Sequence, residues 1–155
     1  MILSKSANYA LRATICLAEA ADGTRVRVDE IAERLDVPRN YLSKILHELA
    51  RTDLLESTRG PGGGFALARP AAELTLADVV RHFDEIPSEA SCLLGRDRCS
   101  DADPCRAHTR WVTARGAVVA FLENTRLLDL TARAGRGAVA GEGAETVLAQ
   151  PDPGS

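Results

Sequence analysis

The chain has 155 residues, 45% of them hydrophobic, with 19 Lys/Arg against 22 Asp/Glu and a formal net charge of −3. That length suits one compact domain or a small domain with an appendage, and the acidic balance excludes indiscriminate attraction to polyanions, so any nucleic-acid footprint must be local. No apolar stretch approaches the roughly 20 residues of a membrane span, and Met1-Ile2-Leu3-Ser4-Lys5-Ser6 is not a charged leader, so a cytoplasmic protein without membrane contact is expected.

Residues 4–20 place Ala7, Ala10, Leu11, Thr14, Leu17 and Ala18 at spacings of three and four, which predicts an amphipathic helix ended by Asp22-Gly23. Cys16 lies beside that face and reads as a small buried hydrophobe. Val28 to Leu35 predicts a short helix with Ile31, Ala32 and Leu35 inward and acids in its first turn, where they favour the helix dipole. Asp36-Val37-Pro38 interrupts it, because proline lacks a backbone donor and disfavours helical geometry at Val37. A following helix over 39–52 carries Leu42, Ile45, Leu46 and Leu49 on one stripe and Arg39, Asn40, Ser43, Lys44 and His47 on the other.

Two helices joined by a short turn, the second polar and basic near its start, match the helix-turn-helix arrangement, whose second helix enters the DNA major groove; a solvated helix hairpin is the alternative. Residues 53–58 and 65–68 predict two short strands around the turn Arg59-Gly60-Pro61-Gly62-Gly63-Gly64, a β-hairpin wing. Glycines at its tip allow close approach to phosphates, and Arg59 stands where a guanidinium can enter a narrow minor groove. No Gly-Lys-Ser/Thr ending follows, which argues against a nucleotide-binding loop. Residues 37–69 hold only five basic and three acidic residues, so a single copy should bind DNA poorly and a dimer would double the contact.

Thr75 to Asp78 reads as a capped helix start with Leu76, Val79, Val80 and Phe83 buried, ending near Ile86-Pro87. A long helix is predicted over 107–124, with Trp111, Ala114, Val118, Phe121 and Leu122 on one side and Val112 and Val119 flanking. So apolar a helix needs a partner; a second copy gives a two-fold dimer suited to a palindromic site. Asn124-Thr125 should cap a last short helix containing Leu127, Leu128 and Leu130, and residues 135–155 read as a disordered tail.

Between the last two long elements lies a loop with Cys92, Cys99, Cys105 and His108, rich in Gly, Asp, Ser and Pro. Without an export signal, clustered cysteines point to metal or redox chemistry rather than disulfides. A Cys3His set suits structural zinc, although zinc sites favour short Cys-x2-Cys knuckles and the gaps here are six and five residues. An iron-sulfur electron carrier or redox enzyme is a further alternative, but no Ser/His/Asp set, cofactor loop or Cys-x2-Cys pair accompanies the loop. His47 and His82 have no such neighbours.

Taken together, Leu3-Ser4-Lys5 with Tyr9-Ala10, the wing Arg59-Gly60-Pro61-Gly62-Gly63-Gly64-Phe65, and Cys92, Cys99 and Cys105 before a long helix resemble the bacterial winged-helix regulators that include IscR and NsrR, over residues 1–130. The resemblance implies a homodimeric transcription factor, repressor or activator and not an enzyme, that binds palindromic double-stranded DNA and senses redox state, iron, cluster supply or nitric oxide. It implies that Cys92, Cys99 and Cys105 ligate one iron-sulfur cluster per subunit, with His108 as fourth ligand in the IscR manner. Some nitric oxide sensors use an aspartate from the other subunit's first helix, where this chain has the neutral Asn8. The first gap is one residue longer than in IscR. The Cys3His set favours 2Fe-2S, with 4Fe-4S as the alternative.

The expected architecture is therefore mainly α with a small β-hairpin wing: a winged helix-turn-helix DNA-binding domain over 1–85, a cluster loop over 86–106 and a dimerisation helix with a short final helix over 107–134. Arg39, Asn40, Tyr41, Ser43 and Lys44 are expected at the major groove, and Arg59, Gly60, Gly62 and Gly63 at the minor groove and backbone. Tyr41 could equally be a core-edge aromatic.

Overall fold

The Ser4 hydroxyl accepts the Ala7 N–H at 3.1 Å and caps α1, Lys5–Glu19. The computed structural model describes residues 3–21, 23–88 and 91–132, so the expected tail over 135–155 lies outside the described residues. Ala7, Ala10, Ala13, Thr14, Cys16 and Leu17 are buried along α1, and the Thr14 hydroxyl returns to the Ala10 carbonyl at 3.1 Å. Small residues on this stripe let neighbouring helices come close. Burial pushes the Cys16 thiol up, which suits a packing residue rather than a reactive one.

Helix α2, Val28–Leu35, opens with Asp29 and Glu30 in its first turn. It stops at Asp36, which takes a left-handed φ of 52° and sends Val37 into the core, two residues before Pro38 starts the next helix. Helix α3, Arg39–Ala50, buries the predicted stripe Leu42, Ile45, Leu46 and Leu49. Each of these side chains contributes about 1.5–3 kcal/mol by leaving water.

The hairpin pairs β1, Leu55–Thr58, with β2, Gly64–Leu67, antiparallel and in the register Leu55 to Leu67 and Thr58 to Gly64. A third segment joins it: Val26 and Phe65 exchange two backbone hydrogen bonds of 2.9 Å, tying the wing to the entry of α2. This explains the glycines. A Cβ on Gly64 would lie 2.6 Å from the Val26 carbonyl oxygen and one on Gly63 would lie 2.3 Å from that of Thr58, whereas Gly60 and Gly62 have open space but φ of 90° and 74°. The tip thus needs glycine for its own backbone.

Helix α4, Leu76–Val80, starts at a capping box in which Thr75 and Asp78 bond each other's backbone N–H at 2.9 and 3.1 Å. Burial raises the Asp78 pKa, but hydrogen bonds from Thr75, with Arg69 and Arg81 nearby, outweigh it and hold the carboxyl below its usual range. The helix is shorter than the expected run to Ile86. After Val80 the His82 and Phe83 N–H groups reach back only three residues, and Asp84 accepts the Ser4 N–H at 2.7 Å. Phe83 and Ile86 still pack on the core.

Helix α5, His108–Asn124, leads to a 3-10 turn at Leu127–Leu130, with the Arg126 N–H rather than the Asn124-Thr125 pair meeting the capping carboxylate, that of Asp129, at 2.8 Å. Leu76 and Leu127 donate to the carbonyls of Thr125 and Leu74, so the end of the described chain runs beside the entry to α4. Leu122 and Leu127 share one core with α1, α3 and α4. The result is a mainly helical winged helix-turn-helix with a two-stranded wing.

Replacing Gly64 by Ala should destabilise the fold by about 1–3 kcal/mol, because the new methyl group must break the bridge to Val26. Urea denaturation of the two proteins measures this.

Candidate metal centre and nucleic-acid interface

The loop before α5 begins with a turn in which Gly95 N–H reaches the Cys92 carbonyl at 3.2 Å, with Gly95 at φ 72°. It ends where His108 N–H bonds the Cys105 carbonyl at 3.0 Å and α5 starts. Cys92, Cys99 and Cys105 are free and half-buried; His108 is 8% exposed. One contact joins two of these donors: the Cys99 sulfur lies 3.3 Å from His108 Nδ1. Backbone hydrogen bonds at Arg96 and Leu94, with Cys105 and the Arg96 charge adding to them, hold the Cys92 thiol below its usual range.

The loop is fastened at both ends to one stripe of α5. Trp111 Nε1 and Arg115 both donate to the Ser91 carbonyl, at 2.7 and 3.1 Å, directly before Cys92. His108, one turn earlier, holds Asp101 through Nε2 at 2.6 Å as well as facing Cys99. Within the loop, Arg96 bridges to Asp103 at 3.1 Å. The buried residues of α5 are His108, Arg115 and Leu122, seven apart, with Trp111 and Val118 half-buried beside them.

Three of these contributors were not singled out from the sequence. Arg115 interrupts an apolar stripe four residues after Trp111, which is the signal that it turns inward to a carbonyl. Asp101, two residues after Cys99, offers a carboxylate within reach of His108, and Ser91 acts only through its backbone. Among the described residues no three His, Cys, Asp or Glu side chains converge on a single ion position.

On the recognition unit, Arg39, Asn40 and Lys44 are exposed on the first half of α3, and Ser43 is half-buried. Arg39 pairs with Asp29 of α2. Tyr41 is 38% exposed; its hydroxyl meets Ser6 at 2.7 Å and its ring stands edge-on to Tyr9. His47 packs edge-on to Phe65 of the wing, with centroids 5.2 Å apart, which locks helix and hairpin together. Arg59, Gly60 and Gly62 are exposed at the tip and Gly63 is half-buried.

The profile of the family described as Rrf2, iron-dependent transcriptional regulator, matches residues 3–133. The chain belongs to the Rrf2 family. Rrf2 relatives include a putative HTH-type transcriptional regulator of Aquifex aeolicus, 36% identical over 132 residues that span 84% of this chain and 91% of that protein. IscR of Photorhabdus laumondii is 31% identical over 130 residues, 84% and 79% of the two chains. The structure of CymR, the global cysteine regulator of B. subtilis, aligns with a TM-score of 0.73 at 26% identity over 86% of this chain and 98% of that one. The resemblance to the IscR and NsrR type is therefore correct, and this Rrf2 protein is a DNA-binding transcriptional regulator rather than an enzyme. Among the described residues no helix is long and apolar enough to cross a membrane.

Replacing Trp111 by Phe removes the indole donor and keeps the ring. Amide exchange over residues 91–105 should become faster while the global unfolding free energy changes by about 1 kcal/mol. Hydrogen–deuterium exchange with peptide resolution measures both.

Proposed function

We propose that this regulator is a homodimer whose DNA affinity is set by one iron-sulfur cluster per subunit, held by Cys92, Cys99, Cys105 and His108. The observation that carries the proposal is the contact of Cys99 with the buried His108 ring on the loop that also holds Cys92 and Cys105. The residues fit the group in type: three thiols, one of them with a lowered pKa, and a buried imidazole. Three thiols and an imidazole separated by gaps of six and five residues would suit a 2Fe-2S cluster better than zinc, whose sites favour short Cys-x2-Cys knuckles. The cluster supplies an oxidisable and displaceable group; the protein supplies the coupling of its ligands to α5.

Cys92 adjoins the Ser91 carbonyl that Trp111 and Arg115 grip, and His108 is itself the first residue of α5. A change in how the loop is held therefore acts on α5 and on the core that Leu122 shares with α1 and α3. DNA affinity then differs between the two loop states by their difference in free energy on the operator. Beyond its buried stripe, α5 leaves Val112 and Val119 half-buried and Phe121 56% exposed. A cleft lined by Leu3, Val80, Ile86, Leu93 and Trp111 lies beside it. A second copy of this chain covers such a face, and two recognition helices then match a palindromic site. At that site Arg39, Asn40, Ser43 and Lys44 reach the major groove, Tyr41 does so from its seat on Ser6, and Arg59 with Gly60, Gly62 and Gly63 meets the minor groove and backbone.

Anaerobically purified protein should be coloured and contain iron and sulfide, and Cys99→Ala should lose the visible absorbance while remaining a folded dimer. Wild-type absorbance and iron content in that variant would make the ligand assignment wrong. Arg59→Ala should weaken binding to every operator tested and lower the salt dependence by about one phosphate contact, measured by fluorescence anisotropy across salt concentrations.

A further inference from the structure

We infer that Asp101 is the positioning residue of this donor set: it holds the proton of His108 on Nε2 and leaves the Nδ1 lone pair turned toward the thiols. The inference rests on the ligand reading above and goes beyond it by choosing the donor atom. A carboxylate only accepts hydrogen bonds, so the 2.6 Å contact between Asp101 Oδ1 and His108 Nε2 requires the N–H on Nε2. In the neutral ring Nδ1 is then the acceptor, and it lies 3.3 Å from the Cys99 sulfur.

The imidazole has little room to choose otherwise. It is 8% exposed, its backbone N–H is fixed to the Cys105 carbonyl, and its two nitrogens face opposite partners. Asp101 itself is solvent-exposed, and its side chain contributes this contact at the edge of the loop rather than any packing. A carboxylate behind a histidine is the arrangement that fixes ring orientation and tautomer at metal sites and raises the basicity of the ligating nitrogen. The other acid of the loop with a side-chain partner, Asp103, is engaged by Arg96 and serves as an internal control.

The test uses the full chain, prepared without oxygen, as wild type, Asp101→Ala, Asp101→Asn and Asp103→Ala. Histidine 15N spectra of the cluster-free proteins report the tautomer. After reconstitution with ferrous iron and sulfide, the nitrogen hyperfine coupling of the reduced cluster and the rate of iron loss to a chelator report the ligand. Asp101→Ala should mix the His108 tautomers, alter the nitrogen coupling and lose iron about 10- to 100-fold faster. Asp101→Asn, whose amide can donate to Nε2 as well as accept from it, should mix the tautomers too, whereas Asp103→Ala, which loosens the loop without touching His108, should keep the wild-type tautomer and nitrogen coupling. An Asp101→Ala protein with the wild-type tautomer and coupling would overturn the role of Asp101 and leave the ligand set standing. So would the same change of tautomer and coupling in Asp103→Ala, which would mark general loosening of the loop. A wild type that takes up no cluster would overturn the ligand reading and the positioning role with it.

Discussion

The carbonyl of Ser91 receives both the Trp111 indole and the Arg115 guanidinium, and the placement of the cysteine loop depends on that joint. Residues 92–107 have no regular element and expose Leu93 and Leu94, so they build little core of their own. What holds them is polar and directional: two donors at the entry, the His108 ring at the exit and the Arg96–Asp103 bridge between. Polar fastening of this kind yields to a change in ligand state more readily than a packed core does, because each hydrogen bond contributes only about 1 kcal/mol net.

All the α5 side of this fastening lies on one stripe. His108, Trp111 and Arg115 face the loop, and Leu122 continues the same line into the hydrophobic core. A 17-residue helix is about 25 Å long and bends little, so its two ends move together. The cysteine loop at one end and helix packing at the other are thereby joined in a single rigid element.

The DNA-reading unit is built with modest electrostatics. Arg39 is paired with Asp29, and Tyr41 is tied to Ser6 and Tyr9, so part of the α3 surface is pre-organised by its own neighbours. The wing is held just as firmly, by the Val26–Phe65 bridge and the His47 ring against Phe65. The costs of ordering these groups are thus met in folding.

Much of this was legible in the chain itself. Helical spacing named the buried face of α3 residue by residue, the Thr75–Asp78 pair marked the start of α4, and the glycine run marked the wing, because periodicity, caps and turns are local properties of the backbone. Spacing also collected Cys92, Cys99, Cys105 and His108 into one loop, and resemblance supplied the family. Only the tertiary structure decided that Cys99 meets His108, that Gly63 and Gly64 are demanded by the carbonyls of Thr58 and Val26, and that the partner of Arg115 is the Ser91 carbonyl 24 residues before it. Such contacts join residues distant in sequence through backbone groups every residue carries, so no residue type announces them; they exist once the helices have packed.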